Sequence, residues 1–270
     1  MKILYAVLIL FGLALLFSIL LAYLGHKLSI PVDEKESFVR SKLSGANCGG
    51  CGYAGCDDFA KALCEGKASV KDCNSTSLAN KKLIAERLGQ NEAGEEIKLV
   101  VCCAGGSDSL DKYDYLGYGD CRTVDMLAGG RKICDVGCLG MGLCVKNCPT
   151  KAMKMMERGY PEIDQHECIH CGLCKNLCPK NLIRPIPADA KVYVACSSRQ
   201  KGKDVRTFCS KGCLGCGLCA KLCPEGAVTV QDNLAVIDYS KCVGCGKCAE
   251  KCPTKAIRLL DKNTAITIQK

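Results

Sequence analysis

The sequence contains no tryptophan, five phenylalanines, nine tyrosines and three histidines among 270 residues. Hydrophobic cores depend on large apolar and aromatic side chains, so a chain this poor in them must draw stability from another source. It has no Walker loop, no G-x-G-x-x-G phosphate loop set between a strand and a helix, no flavin signature and no nucleophile paired with a base. Those absences leave it without a nucleotide site or a hydrolytic centre of its own. Basic residues outnumber acidic ones by 37 to 28. No basic block is interleaved with stacking aromatics, however, which excludes nucleic acid as a partner.

Cysteine is what the sequence has in excess, with 26 residues, close to a tenth of the chain. Disulfide scaffolds of that density are short secreted domains, and their cysteines do not recur as C-x2-C-x2-C-x3-C-P. The count therefore favours metal clusters and a reducing compartment. It also corrects the charge. An oxidised four-iron cluster with four thiolates carries about −2, so five of them would cancel the formal +9 and leave the loaded chain near neutral.

Residues 3–25 include no Asp, Glu, Lys, Arg or His, and 23 helical residues at about 1.5 Å each cross a hydrocarbon layer of ~30 Å. A membrane-spanning helix is expected there. A signal peptide is the competing reading, but the apolar stretch is too long for one and no A-x-A-like site follows. Lys2 precedes the helix, whereas Lys27, Lys35, Arg40 and Lys42 follow it. This bias puts the rest of the chain on the cytoplasmic side of the inner membrane.

The expected organisation is a membrane anchor (1–27), a linker (28–37), a small helical [4Fe-4S] domain (38–90), a connecting segment with a strand (91–132), a first ferredoxin module (133–187), a second connection (188–207) and a second ferredoxin module (208–270). The fold class is α+β. In the helical domain the ligands are Cys48, Cys51, Cys56 and Cys73, three of them crowded on a glycine-rich loop. Structural zinc sites instead use two separated C-x2-C knuckles. Helices are expected over 57–67 and 76–88, the second capped by Ser75, with Cys64 a buried hydrophobe and not a ligand.

Three cysteine runs are complete. They are Cys168, Cys171, Cys174 and Cys178; Cys213, Cys216, Cys219 and Cys223; and Cys242, Cys245, Cys248 and Cys252, each ending in Cys-Pro. In this pattern the first three cysteines hold one cluster and the fourth reaches across to its partner. The second module therefore pairs Cys213, Cys216 and Cys219 with Cys252, and Cys242, Cys245 and Cys248 with Cys223. A fourth run, ending in Cys148-Pro149, is irregular, because Met141 stands where the second cysteine belongs. Cys134 is the expected substitute, giving Cys134, Cys138, Cys144 and Cys178 for one cluster and Cys148, Cys168, Cys171 and Cys174 for the other; loss of the irregular cluster is the alternative. Twelve residues separate Cys121 from Cys134 and Cys196 from Cys209, and strand-like stretches at 97–103 and 191–196 precede them. Each half thus reads as strand, connection, module. Cys102, Cys103, Cys121, Cys196 and Cys209 could supply a sixth cluster beyond the five, and the expectation is that they are structural or accessory. The segment 112–120 reads as an aromatic surface loop, and His26, His166 and His170 as exposed or as neighbours of clusters.

An N-terminal anchor, the run Cys48–Cys56 with its glycines, and tandem ferredoxin modules together resemble the B-subunit family of the Rnf complex, over essentially the whole chain. The stretches AGGRKICDVGCLGMGLCVKNCPTKAM and CPKNLIRPIP carry the resemblance to the forms with two ferredoxin modules. It implies transfer of electrons from reduced ferredoxin toward other subunits, one of which binds flavin and NAD, coupled elsewhere to Na+ or H+ movement. Met141 and the extra Cys64 and Cys102 depart from the pattern. Alternatives are a polyferredoxin of another membrane hydrogenase or dehydrogenase, a subunit of the related complex that reduces a redox-sensing transcription factor, a radical-type enzyme with an open iron site, and a zinc-binding interaction protein.

Overall fold

The computed structural model describes residues 2–27, 33–90 and 94–260. Residues 28–32 of the expected linker, 91–93 of the first connection and 261–270 of the second module lie outside them, as does the side chain of His26. Helix α1 (Lys2–Lys27) contains the span Val7–Gly25, with a mean hydropathy of 2.8 and none of it covered by the rest of the chain. It is long and apolar enough to cross a membrane.

Three helices follow: α2 (Glu34–Lys42), α3 (Cys56–Cys64) and α4 (Leu78–Leu88). They close on Val39, Phe59, Leu63, Val70 and Ile84, all nearly fully buried. Asp33 accepts the Lys35 N–H and starts α2, so Glu34–Ser37 are helix and not linker. Helix α3 begins at the cysteine itself and stops at Cys64, short of Lys67, where Gly66 takes φ +71°. The cap of α4 is Ser77, which accepts the Asn80 N–H. Ser75 and Thr76, expected to open that helix, instead turn their hydroxyls toward Cys73.

The remaining chain repeats one plan twice. In the first half, β1 (Ile97–Val101) leads through α5 (Cys121–Met126) and α6 (Leu143–Lys146) to the hairpin β2 (Met153–Met155) and β3 (Pro161–Ile163), then α7 (Leu173–Leu177) and β4 (Ile183–Pro187). In the second, β5 (Val192–Val194) leads through α8 (Gly202–Phe208) and α9 (Leu218–Lys221) to the hairpin β6 (Val228–Gln231) and β7 (Leu234–Ile237), then α10 (Lys247–Glu250) and β8 (Ile257–Leu259). Each opening strand pairs antiparallel with the strand that closes its own half: Leu99 with Pro185 in β1–β4, and Tyr193 with Arg258 in β5–β8. The sheets among the described residues are all two-stranded. Such pairs are marginal alone, and each is sealed by cysteines packed with Leu99, Met153 and Ile183, or with Val192, Leu234 and Ile257. The halves meet where Tyr193, Tyr239 and Leu260 cover Val100, Cys102 and Ile186. There Arg258 donates to Glu162 at 2.9 Å and to the Tyr160 hydroxyl at 3.0 Å.

Candidate metal centres

One local device recurs in every module. Helices α6, α7, α9 and α10 are each opened by a glycine in the left-handed region, Gly142, Gly172, Gly217 and Gly246, at φ +73° to +82°. The glycine lets the loop reverse so that the cysteine two residues on sits in the first turn of a short helix. At the far end each Cys-Pro begins a tight turn closed by an N–H to the cysteine carbonyl, from Lys151, Asn181, Gly226 and Lys255. The geometry is the same for the irregular run as for the complete ones.

In the second module the crossed assignment places four thiols around each of two cavities. Cys213, Cys216, Cys219 and Cys252 line one, and Cys223, Cys242, Cys245 and Cys248 line the other. Cys216 and Cys245 are the exposed cysteines; every other thiol is buried or half-buried. In the first module Cys168 and Cys174 lie close enough to Cys148 for their charges to couple, and Cys174 is likewise close to Cys144. In the helical domain Cys51 faces Cys73 and Cys48, and the Ser75 hydroxyl stands 3.5 Å from the Cys73 sulfur and 4.0 Å from that of Cys48. Cys56, anchored by its N–H to Asn47 Oδ1, packs in the same cluster of side chains.

The structure does not bring Cys134 to the expected cavity. The cavity that holds Cys138, Cys144 and Cys178 is completed by Cys121 and not by Cys134. Helix α5 is pinned there because Lys180, two residues past Cys178, pairs with Asp125 at 2.8 Å and donates to the Gly129 carbonyl at 2.7 Å. Cys134 faces the other way, toward Cys103, Cys209 and Ser198. The twelve-residue spacing matches Cys121 with Cys196, but the strands show Cys103 in that role: Cys103 and Cys196 each lie two residues past the end of β1 or β5. Cys134 follows Cys103 by 31 positions, whereas Cys209 follows Cys196 by 13, so the first half carries 18 extra residues in this connection, where α5 and Cys121 lie.

The donor chemistry fits iron–sulfur clusters. Burial pushes the free thiols of Cys144 and Cys174 up to about 12 and that of Cys219 to about 11. These groups give up their protons only against a bound cation. Backbone N–H groups point at the sulfurs, from His170 to Cys168, from Leu182 to Cys178 and from Ala227 to Cys223, at 3.3–3.5 Å. Among the described residues no three His, Cys, Asp or Glu side chains converge tightly enough for a single ion. Thiols around one zinc stand about 4 Å apart; here they ring cavities. His170 is half-buried, with its ring 3.4 Å from Gln165, and burial holds it below the ordinary histidine range. Cys64 packs against the helical core, and Cys102 is buried under Ile186.

Thiol-ringed cavities on repeated glycine-capped loops define a multi-cluster iron–sulfur electron-transfer protein. The Fe-S cluster family matches residues 43–75, the 4Fe-4S dicluster domain matches 133–182 and 167–227, and the 4Fe-4S binding domain matches 235–258. Among similar proteins is the B subunit of the Na(+)-translocating ferredoxin:NAD(+) oxidoreductase complex of Acetobacterium woodii, 40% identical over 84% of this chain and 69% of that one. The B subunit of the ion-translocating oxidoreductase complex of Methanosarcina acetivorans is 39% identical over 86% and 89%. That of the proton-translocating ferredoxin:NAD(+) oxidoreductase complex of Clostridium ljungdahlii is 37% identical over 84% and 81%. The chain belongs to this family of Rnf-type B subunits, and it is an iron–sulfur electron-transfer subunit of a multi-subunit oxidoreductase complex.

Proposed function

We propose that this chain is held at the cytoplasmic face of the inner membrane by α1, takes electrons from reduced ferredoxin and passes them to partner subunits, the one that carries flavin and NAD included. Five [4Fe-4S] clusters would be held by Cys48, Cys51, Cys56 and Cys73; by Cys148, Cys168, Cys171 and Cys174; by Cys121, Cys138, Cys144 and Cys178; by Cys213, Cys216, Cys219 and Cys252; and by Cys223, Cys242, Cys245 and Cys248. Bound clusters supply one-electron redox chemistry. The chain's own part is to space them, shield them from water and offer N–H groups to the thiolates.

The observation that carries the reading is the contact between domains. The Cys48 and Cys171 thiols come within hydrogen-bonding reach of each other, and a Cβ at Gly50 would collide with the Cys171 carbonyl. The helical domain next to the anchor therefore abuts the first ferredoxin module directly. At the other end Lys201, which precedes α8, and Lys203 and Arg206 on it stand in solvent, and α8 lies on the loop of exposed Cys216, with Gly202 against the Leu214 carbonyl. That face, with half-buried Lys211 at its edge, suits an acidic carrier.

Removing residues 1–27 should yield a soluble brown protein that reduced ferredoxin still reduces, at a rate that falls as salt rises. It should not reduce NAD, because hydride formation needs a two-electron carrier. A rate indifferent to salt would reject the α8 face. NAD reduction by the flavin-free fragment would overturn the division of labour.

A further inference from the structure

Six thiols remain unused by those five sets; Cys64 and Cys102 pack in separate cores, and the other four do not scatter. Cys103, Cys134, Cys196 and Cys209 line one cavity, similar in size to those in the ferredoxin motifs. Two come from each half of the chain. A Cβ at Gly105 would stand 3.4 Å from the Cys209 sulfur and 3.8 Å from that of Cys103, so both sulfurs border the same backbone. Cys134 has Cys103 and Cys209 as charge neighbours, and Cys196 has Cys103.

The site has a pseudo-twofold build. The Cys138 N–H points to the Cys103 sulfur at 3.4 Å, and the Cys213 N–H points to the Cys196 sulfur at 3.3 Å. The donor in each case belongs to a ligand of a neighbouring ferredoxin cluster. The strip 105–110 is threaded between the Cys134 and Cys209 segments: the Leu110 N–H bonds the Phe208 carbonyl, and the Ile133 N–H bonds the Leu110 carbonyl. That strip also delivers Ser109, 5% exposed, which lines the cavity and whose hydroxyl has no hydrogen-bond partner. A buried hydroxyl without a partner costs about 1–3 kcal/mol, and a cluster sulfide or thiolate would accept a hydrogen bond from it.

We infer that Cys103, Cys134, Cys196 and Cys209 hold a sixth four-iron cluster that joins the two ferredoxin modules. It takes one electron from the reduced cluster on one side, which is oxidised by one, and returns it to the oxidised cluster on the other. The order along the chain is then the helical-domain cluster, the Cys171 cluster, the Cys144 cluster, the Cys103–Cys209 site, the Cys213 cluster and the Cys245 cluster. The first four steps are contacts already described, Cys48 with Cys171, Cys174 with Cys144, Cys138 with Cys103, and Cys213 with Cys196; the fifth lies within the one core in which Cys213 and Cys248 pack. The relay role rests on the proposed electron-transfer reading; the metal site does not.

The test uses the full chain purified without oxygen. Twenty-four irons and 24 sulfides per chain are expected, falling by four in Cys103→Ser and in Cys196→Ser and staying at 24 in Cys102→Ser. In the fully reduced protein the paramagnetic signals of the two modules should be spin-coupled through the centre and should sharpen in both variants. Because a variant can fail to assemble, crystals of the unaltered chain give a second measurement, in which iron-edge anomalous scattering should place a peak among the four sulfurs. Twenty irons with no such peak, zinc at that peak, or unchanged iron in both variants would overturn the site. Loss of four irons without sharpening would overturn its place between the modules. None of these readouts involves ferredoxin, so they stand or fall apart from the docking face.

Discussion

A single side chain decides which of two neighbouring sites is completed. Cys121 and Cys134 are both within one short connection of Cys138, but Lys180 draws α5 and Cys121 to Cys178, while Cys134 turns toward Cys209. Cys121→Ser should therefore cost four irons. A second change, Met141→Cys, should restore them, because position 141 corresponds to Cys216 in the regular run. The same rescue should fail for Cys134→Ser, whose thiol serves a different cavity. Iron analysis of the four variants checks this, and rescue of Cys134→Ser would return Cys134 to the first module.

Among elements, the Cys-Pro turns are the least expected strain. Lys151, Asn181 and Lys255 adopt φ of +50° to +57° at the position where the third turn has Gly226, at +59°. Left-handed backbone costs an L-residue about 1–2 kcal/mol, and part of that is returned to the unfolded chain when glycine replaces it. Lys255→Gly should raise the stability of the loaded protein by up to about 1 kcal/mol, read as a higher Tm in anaerobic melting. Lys255 reaches only the Glu250 carbonyl, so little else is lost. A lower Tm would mean that this contact outweighs the backbone gain.

At the scale of the whole molecule, paired strands of three to five residues and helices of four are too short to stand alone. Their cores contain the cysteines themselves, with Cys174, Cys213 and Cys248 among the buried residues of the two modules. Ligation free energy is thus folding free energy from Cys121 onward. Chelating the iron should abolish the cooperative melt of that region by circular dichroism, whereas the helical domain, which has its own core around Phe59 and Ile84, should keep more of its helix. An apo-protein that melts like the loaded one would refute this.

Ligand spacing, the crossing of fourth cysteines and the apolar helix are local properties, and the sequence by itself determined them. A C-x2-C-x2-C loop can reach only its own cavity, and 19 apolar residues can hide only in lipid or a core. The cap of α4 is not legible in the sequence because Ser75, Thr76 and Ser77 are equivalent there until Cys73 claims two of their hydroxyls. The destination of Cys103, Cys121, Cys134, Cys196 and Cys209 was decided only by tertiary structure. They lie up to 106 positions apart, their loops have no fixed length, and their meeting depends on how β1 and β5 seat two modules against each other and on one lysine pinning an inserted helix.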